Sequence, residues 1–430
     1  MQSTKDIKSG ELQSIFSRRN LLKGAAALAG VASVSEAFAQ PPTGAPAGRV
    51  WLYIGTYTGG SNHGQGIYLC ELNLLTGKLT VLRLVAPVVA TPISTASPST
   101  IAVDPSGTHL YAGNEYGPTG AVSSYLINRF TGDLTLLNAQ PARGQPAHVG
   151  VDNSSKYLFA AEYSGGWFEA FPILANGSLG PAVFSQPDAT NNGVQNAADA
   201  PPGSFAISAH EVGGTGHPHM MESDPSNLWV LGSDAGQDRI YVWKLTSGAT
   251  PPLTPAATSY VTVPQDIPNS GDGPRHFAFH PNGKWLYSIQ EEASTIIFWH
   301  FDPATGALSQ QQMVSSLPPG FAGTNFTSEI RVSRDGQFVY GTNRLNDTIT
   351  VFQIGSSGEL TQVSHASTMG DYPRVITLDP SGQFMVSLNQ RADNVTTFRV
   401  APGILRAAGS LIFTGNYTGV GSPSGMAFLV

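Results

Sequence analysis

The sequence repeats one phrase, in which an apolar run, a turn of the D-P-S-G type and a second apolar run follow one another. Residues apolar at alternate positions flank a turn rich in Asp, Pro, Ser and Gly, which predicts two β-strands joined by a tight turn. The copies recur about every 45 to 55 residues, except across one longer interval, and such a period is typical of β-propellers. Six copies begin at Ile101, Val149, Met221, Phe277, Ile330 and Ile376.

A second phrase, centred on Thr-Gly, interlocks with the first. It places a turn after an apolar strand and before a strand that starts with leucine. Together the two phrases predict four strands in each repeat. The copies read LNLLTGKLT from Leu72, INRFTGDLT from Ile127 and FDPATGALS from Phe301, with a weaker copy, GSSGELT, from Gly355.

The two ends of the chain supply one further repeat. SPSGMAFLV from Ser422 matches the innermost-strand phrase SPSTIAVD from Ser97, while VWLYIGTYT and GIYLCEL near the N-terminus match the strands that follow it. We therefore expect an all-β, seven-bladed β-propeller of four-stranded antiparallel blades over residues 49–430, closed by a blade shared between the N- and C-termini. Such closure leaves no exposed sheet edge. Residues 186–216, rich in Asn, Ala, Pro and Gly, are predicted to form a long loop at the mouth of the central channel.

The N-terminal residues have the pattern of an export signal. Arg18 and Arg19 precede an apolar run of about a dozen residues, too short to span a bilayer comfortably, and A-F-A at 37–39 fits a cleavage site. We predict a twin-arginine signal over residues 1–39 and a linker over 40–48. The protein would be a partner of the twin-arginine machinery, periplasmic or secreted, and free of the membrane after cleavage. The alternatives are a membrane anchor and a disordered basic tail.

Composition excludes several classes of function. The chain has 29 acidic and 22 basic residues, with no basic run beyond the leader, which argues against nucleic acid as a partner. Cys70 is the single cysteine, so an intramolecular disulfide is excluded, and this side chain is expected to be a small core residue. No ligand set for a metal stands out, and we expect a monomer without a cofactor.

Polar residues recur where the innermost strands are predicted to begin. Loops of several blades converge at one end of a propeller channel, and Arg and His there can grip an anion or an oxyanion and transfer protons. The alternative is a salt-bridge network that only fills the channel. The candidates at the strand starts are His148, His217, His219, Arg275, His276, Glu329, Arg331 and Arg374. An acidic group is expected where the second strands end, from Glu115, Glu162, Asp234, Glu291 and Glu292.

Four phrases carry a resemblance to a known family: HPHMMESDPS, GPRHFAFHPNGKWLYSIQEEAST, SEIRVSRDGQFVYGTNR and YPRVITLDPSGQFMVSLNQRADNVTTF. They resemble the lactonase family of seven-bladed propellers, which includes 6-phosphogluconolactonase-type and carboxy-muconate lactonizing enzymes, over essentially the whole mature chain. The resemblance implies a site built from the His of P-H-x-H, the Arg of G-P-R-H and the Glu of a following N-E phrase. The matching residues are His217 and His219, Arg275 and Glu291, with Arg331 as a neighbour. Gln290 and Glu162 stand where the family usually has Asn.

These residues suggest a metal-independent hydrolase of a small-molecule lactone. In this hypothesis Arg275 and Arg331 hold the substrate and stabilise the oxyanion, Glu291 activates water, and His219 protonates the leaving ring oxygen. Substrate binding is assigned to His217, His148, Arg374, His276 and Glu329. Export favours a non-phosphorylated aldonolactone, or a lactone from aromatic breakdown, over a phosphorylated sugar lactone.

Three other functions stay open at this stage. A muconate-type cycloisomerase needs much the same Arg, Glu and His set. A non-catalytic propeller that binds a periplasmic ligand or protein would not open lactones. A calcium-dependent lactonase of another propeller family is the third, although the GPRH and SEIRVS phrases argue against it.

Overall fold

The alternating apolar repeats fold into seven antiparallel sheets of four strands each. The computed structural model describes residues 44–90, 92–117, 119–187, 216–263, 272–401 and 409–430. Within these ranges the regular elements are 28 strands, β1 to β28, with no helix. The predicted all-β, seven-bladed propeller is confirmed.

The strands follow one another through the blades in chain order. Blade 1 contains β28 (Pro423–Leu429), β1 (Arg49–Thr56), β2 (Gly66–Asn73) and β3 (Leu79–Pro87). Blade 2 contains β4 (Pro98–Val103), β5 (His109–Asn114), β6 (Ala121–Ile127) and β7 (Leu134–Pro141). Blade 3 contains β8 (Gln145–Val151), β9 (Tyr157–Ser164), β10 (Trp167–Pro172) and β11 (Phe184–Pro187). Blade 4 contains β12 (Pro218–Ser223), β13 (Trp229–Asp234), β14 (Arg239–Leu245) and β15 (Leu253–Thr262).

The remaining blades repeat the same order. Blade 5 contains β16 (Pro274–Phe279), β17 (Trp285–Gln290), β18 (Thr295–Phe301) and β19 (Leu308–Ser315). Blade 6 contains β20 (Thr327–Val332), β21 (Phe338–Asn343), β22 (Thr348–Ile354) and β23 (Leu360–Ser367). Blade 7 contains β24 (Pro373–Leu378), β25 (Phe384–Asn389), β26 (Asn394–Val400) and β27 (Leu411–Gly419).

Blade 1 closes the ring with strands from both ends of the chain. β28 pairs antiparallel with β1, with Ile54 opposite Met426 and Trp51 opposite Leu429. Met426 and Leu429 are buried in the clusters that pack blade 1 against blades 7 and 2. The predicted shared blade is confirmed, and β28 covers the edge that β1 would otherwise expose.

The aspartate of the repeated phrase explains the repeated turn. In blade 2 one carboxylate oxygen of Asp104 accepts backbone N–H bonds from Thr108 and His109, at 2.8 and 2.9 Å. The carboxylate therefore satisfies two backbone donors that the tight turn leaves without a strand partner. Asp152 and Asp224 make the same pair of bonds in blades 3 and 4, and Asp379 makes one of the two, from the N–H of Phe384, in blade 7.

The innermost strands share an irregularity that positions the site. In each of the seven, the pairing register shifts close to the strand's first residue. A bulge of this kind adds an unpaired residue and redirects a side chain, and it is a recurrent feature beside active sites. The residues at the shift are Ser99, Ala147, His219, Arg275, Ser328, Arg374 and Ser424.

Other sequence predictions have different outcomes. Cys70 is buried in the core of blade 1, as expected of a small apolar residue. The first two residues of the predicted loop, Gln186 and Pro187, belong to β11. Residues 188–215 of that loop and the export signal lie outside the described residues. Among the residues the structure describes, no helix is long and apolar enough to cross a membrane.

Candidate active site

The candidate site lies at the end of the channel where the innermost strands begin. In six blades, a backbone hydrogen bond joins the end of the second strand to the start of the innermost strand. The residue after the second strand donates its N–H to the carbonyl oxygen of the residue just before the innermost strand, as Glu291 does to Gly273 at 2.7 Å. This bond closes the loop over the strand ends and brings the following side chains together around the channel. The residues in this place are Tyr57, Glu115, Ala235, Glu291, Arg344 and Gln390.

Two acidic residues expected in this ring stand one position too early. Asp234 pairs with the first residue of its blade's inner strand, as Asn114 does in blade 2, and Glu162 pairs with the second residue, Pro146; all three carboxyl or amide side chains are fully buried. Asp234 Oδ1 accepts the backbone N–H groups of His217, Gly236 and Gln237 at 2.9 to 3.0 Å. Glu162 accepts the N–H of Gly144, and burial together with Glu169 raises its pKa. These two carboxyl groups therefore order loops.

Glu291 lies between two buried guanidinium groups. Its Oε2 is 3.2 Å from Nε of Arg275, and its Oε1 is bonded by Nη2 of Arg344. Arg344 also donates to the hydroxyl of Tyr372 at 3.2 Å, and its guanidinium lies 5.1 Å from the centre of that ring. The sequence analysis did not identify Arg344. In the T-N-R phrase at the end of β21, Asn343 and Arg344 occupy the places that Gln290 and Glu291 occupy at the end of β17 in blade 5.

A second ion pair faces this cluster from blades 2 and 7. Arg374 and Glu115 are 3.8 Å apart, the Tyr57 hydroxyl donates to Glu115, and the Arg374 guanidinium lies 5.1 Å from the Tyr57 ring centre. Burial raises the pKa of Tyr57, so the phenol keeps its proton at neutral pH. Tyr57 was not predicted from the sequence.

Repulsion from the neighbouring arginines contributes to a lowered pKa of Arg275. Burial, followed by the charge of Arg344, lowers the pKa of Arg275 to about 10; Arg374 adds to this, while Glu291 opposes it. Burial alone would lower the pKa of Arg344, but Glu291 and Tyr372 together outweigh it and raise that pKa. Arg275, only 1% exposed, shares the Glu291 carboxylate with Arg344, so the three groups keep a net positive charge that favours binding of an anion.

Two predicted histidines surround Tyr163 in blades 3 and 4. The rings of His217 and His219 lie 4.6 and 5.6 Å from the Tyr163 ring, and His217 Nδ1 is 2.9 Å from the Tyr163 carbonyl oxygen. Burial, and then Arg275, lower the pKa of His219 well below its usual range. His219 is therefore a neutral imidazole at neutral pH.

A third group lies deeper along the channel. His276 Nδ1 is 3.0 Å from Oε1 of Glu329, and Arg331 Nη2 is 3.4 Å from Oε2 of the same carboxylate. The rings of His148 and His219 stand edge-on to His276 at 5.6 and 5.1 Å. Burial lowers the pKa of His148 to about 3 and that of His276 to about 4. Arg331, expected as a neighbour of Arg275, lines the same cavity as Arg275 and pairs with Glu329, while Arg344 is the arginine that bonds Glu291.

Tyr372 is held in an unusual backbone conformation. Its φ is +62°, in the left-handed region that costs a bulky residue on the order of 1 kcal/mol or more. Gly273 has φ +68° at the corresponding position of blade 5, where glycine meets no such cost. The Tyr372 ring lies against Arg344 on one side and within 3.8 Å of the Arg391 guanidinium. These contacts offset the backbone cost and keep the Tyr372 ring beside two arginines at the channel mouth.

This arrangement offers anion-binding groups and neutral proton carriers rather than an evident metal site. Within the described ranges, no group of three or more His, Cys, Asp or Glu side chains is placed to hold a metal ion. Arg275, Arg344 and Arg374 supply forked donors, and His219 and His276 supply neutral imidazoles. Such a set can stabilise an oxyanion and move a proton beside it.

Comparison with known proteins adds independent information. The family described as lactonase, 7-bladed beta-propeller, matches residues 51–428. The 6-phosphogluconolactonase of Bacillus subtilis (strain 168) is 33% identical over 348 residues, which cover 80% of this chain and 90% of that protein. The 6-phosphogluconolactonase of Pectobacterium carotovorum is 29% identical over 342 residues, or 79% of this chain and 89% of that protein. The solved structure of the periplasmic gluconolactonase of Pseudomonas aeruginosa has a TM-score of 0.75 at 26% identity, covering 89% of this chain and 99% of that one.

Proposed function

The chain belongs to the lactonase family of seven-bladed β-propellers, and from that premise we propose that it hydrolyses a lactone of a sugar or a related compound to the hydroxy acid. Water adds to the lactone carbonyl, the ring C–O bond breaks, and the ring oxygen leaves as the new hydroxyl group. Negative charge develops on the carbonyl oxygen as water adds. Preorganised donors aimed at that oxygen make the largest contribution to such catalysis.

The observation that carries this proposal is that two buried arginines, Arg275 and Arg344, share the single carboxylate of Glu291, so the group keeps a net positive charge. The pKa of Arg275 is lowered to about 10 by burial and by Arg344, with Glu291 already in contact. A lactone oxyanion placed against Arg275 would supply the missing negative charge in the transition state, more than the neutral carbonyl of the substrate does. The interaction therefore strengthens along the reaction path, which is the condition for a gain in kcat.

The contacts assign Glu291 a positioning role. Each of its oxygens faces a guanidinium, Arg275 on one side and Arg344 on the other, so the carboxylate fixes the direction in which both forks point. We propose this role for Glu291 in place of the water activation that the sequence suggested. Because His219 is neutral, we propose that it hydrogen-bonds the substrate rather than protonating the ring oxygen as an imidazolium.

The test is pH-stat hydrolysis by the mature protein, because each ring opening at neutral pH releases one proton. The panel contains gluconolactone as a neutral sugar lactone, 6-phosphogluconolactone and muconolactone, with spontaneous hydrolysis subtracted. Turnover of at least one lactone, undiminished by a chelator, is the expected result, and gluconolactone is the substrate that export favours. Loss of turnover with the chelator would instead support a calcium-dependent lactonase.

Failure of hydrolysis would separate the two remaining alternatives. A chain that opens none of the lactones but cyclises carboxymuconate is a cycloisomerase. A folded chain that does neither is a binding propeller.

We also propose that the twin-arginine leader exports the protein to the periplasm, the compartment named for the Pseudomonas aeruginosa relative. Changing Arg18 and Arg19 together to lysine is expected to keep the protein inside the cell with its leader uncleaved. The measurement is fractionation and mass determination of wild type and variant expressed in a bacterium with a twin-arginine system. Export of the lysine variant at the wild-type level would contradict the proposal, and a wild type that stays in the membrane fraction would support the anchor.

A further inference from the structure

A histidine and a glutamate from neighbouring blades form a buried dyad that the proposed function has not yet used. His276 lies at the third position of β16 and Glu329 at the third position of β20, and they are 6% and 2% exposed. Nδ1 of His276 is 3.0 Å from Oε1 of Glu329. Burial acts to raise the pKa of Glu329, but Arg331 and His276 outweigh it and hold that pKa at about 2. Glu329 is therefore ionised and can only accept, so the ring proton of His276 belongs on Nδ1.

The other ring nitrogen is left with a lone pair and no partner. Among the described residues, none makes a hydrogen bond with Nε2 of His276, although the atom is buried. His276 lines a cavity of about 60 Å³ that also borders His148, Arg275 and Arg374. A cavity of this size has room for water, and buried polar groups of this kind are the ones that ordered water satisfies.

We propose that His276, through Nε2, is the general base that activates the attacking water, and that Glu329 is the positioning residue that fixes the imidazole and its tautomer. The inference rests on the proposed lactone hydrolysis and deepens it. His276 adjoins Arg275 along β16, and the cavity it lines also borders Arg275. A water in that cavity is therefore placed beside the group proposed to hold the lactone oxygen.

The proton and electron movements balance without another reactant. Water oxygen bonds to the lactone carbonyl carbon while one of its protons passes to Nε2 of His276, and the carbonyl oxygen becomes an oxyanion. When the intermediate collapses, the ring C–O bond breaks and the leaving oxygen takes the proton from Nε2. His276 returns to its neutral form, with Glu329 having stabilised the transient imidazolium.

Charged and titratable groups face His276 from several strands. Glu329 and Arg331 come from β20, His148 from β8, His219 from β12 and Arg275 from β16. Burial first, and Arg275 and Arg331 after it, lower the pKa of His276 to about 4, against the opposing effect of Glu329. The base is therefore present in its neutral form across the neutral range. An anionic species held at Arg275 would offset the positive charge of Arg275, which is one of the charges that make His276 less basic.

The experiment compares His276→Gln and Glu329→Gln with His300→Gln, the same replacement at an exposed position on β18 of blade 5. For His276→Gln, kcat on the best lactone is expected to fall by about 10²- to 10⁴-fold with little change in KM. In wild type, kcat/KM should decline on the acid side as His276 becomes protonated. Glu329→Gln removes a charge that raises the pKa of His276, so it should lower the rate and shift that acid limb to lower pH. His300→Gln should match wild type.

A second measurement tests the dyad without turnover. Nitrogen-15 NMR of the histidine rings should show His276 with its proton on Nδ1 at neutral pH, and Glu329→Gln should change its shifts. A proton on Nε2, or wild-type kcat in a folded His276→Gln, would overturn the dyad while leaving lactone hydrolysis standing. A wild type that opens no lactone would overturn both. If His276→Gln does not fold, the Glu329→Gln pH profile and the NMR result decide.

Discussion

Arg275→Ala is expected to lower kcat/KM for the best lactone by about 10²- to 10³-fold, the loss typical of removing an oxyanion donor. Arg275 is 1% exposed, sits at the bulge of β16 and contacts Glu291 at 3.2 Å, so water cannot easily replace its guanidinium. The change should reduce kcat more than it raises KM, because the interaction is strongest when the oxyanion has formed. Steady-state hydrolysis at several lactone concentrations measures both.

The control must separate catalysis from folding. Removing one partner of a buried ion pair can cost about 3 to 5 kcal/mol of stability, so each variant needs a thermal unfolding curve. Arg83→Ala is the matched control, because Arg83 pairs with Asp133 at 2.7 Å on the exposed outer strand β3 and should affect neither kcat nor KM. A folded Arg275→Ala protein with wild-type kcat would contradict the proposed role.

Arg344 provides a second check on the same prediction. If Arg275 and Arg344 act as one unit through Glu291, the double alanine variant should lose much less than the product of the two single losses. Independent arginines would give multiplied losses instead. Comparison of the two single variants with the double variant therefore distinguishes a shared anion site from two separate structural ion pairs.

The repeat predicted the fold because each blade is specified locally. The Asp104 turn is complete within a few residues, and the same bonds recur at Asp152 and Asp224. Sheet pairing then follows from short hairpins, which leave few other topologies open. Even the shared blade could be predicted, because the C-terminal phrase copies the one at Ser97.

The sequence named site residues at the starts of the inner strands and, for Glu115 and Glu291, at the ends of second strands. Arg275 and His219 occupy the bulge of their own inner strands, as the family phrases suggested. Arg344 and Tyr57 come from the ends of second strands in other blades, and no local pattern ties them to Glu291 or Glu115. Their contacts arise from closure of the ring, which a sequence motif does not encode.

The sequence motifs also do not encode how deep along the channel a side chain lies. Arg331 lies three positions beyond the bulge residue Ser328, which corresponds to roughly 10 Å along a strand. A motif that contains both Glu329 and Arg331 does not show which residue meets a neighbour at the mouth. Likewise, Glu162 lies one position earlier in its blade than Glu291 does in blade 5. Glu162 accepts a backbone N–H, whereas Glu291 pairs with two arginines.

Deleting residues 423–430 is expected to abolish cooperative folding altogether. The deletion removes β28, whose Met426 and Leu429 are 8% and 0% exposed and pack blade 1 against both neighbouring blades. Losing each of these buried side chains would cost about 2 to 5 kcal/mol, and together they approach the roughly 5 to 15 kcal/mol that holds a whole domain folded. β1 would also become an open edge facing the channel, with its backbone groups unpaired.

Near-UV circular dichroism and thermal unfolding of the truncated chain measure this effect, with deletion of Val430 alone as the control, since that residue follows β28. The control should unfold cooperatively, as wild type does. Adding a synthetic peptide of residues 423–430 to the refolding truncated chain should restore part of the native signal, because the peptide can pair with β1 as the missing strand. A truncated chain that unfolds at the wild-type temperature would show that the six other blades hold the ring without closure, and the arginine cluster from blades 5, 6 and 7 should then keep its lactonase activity.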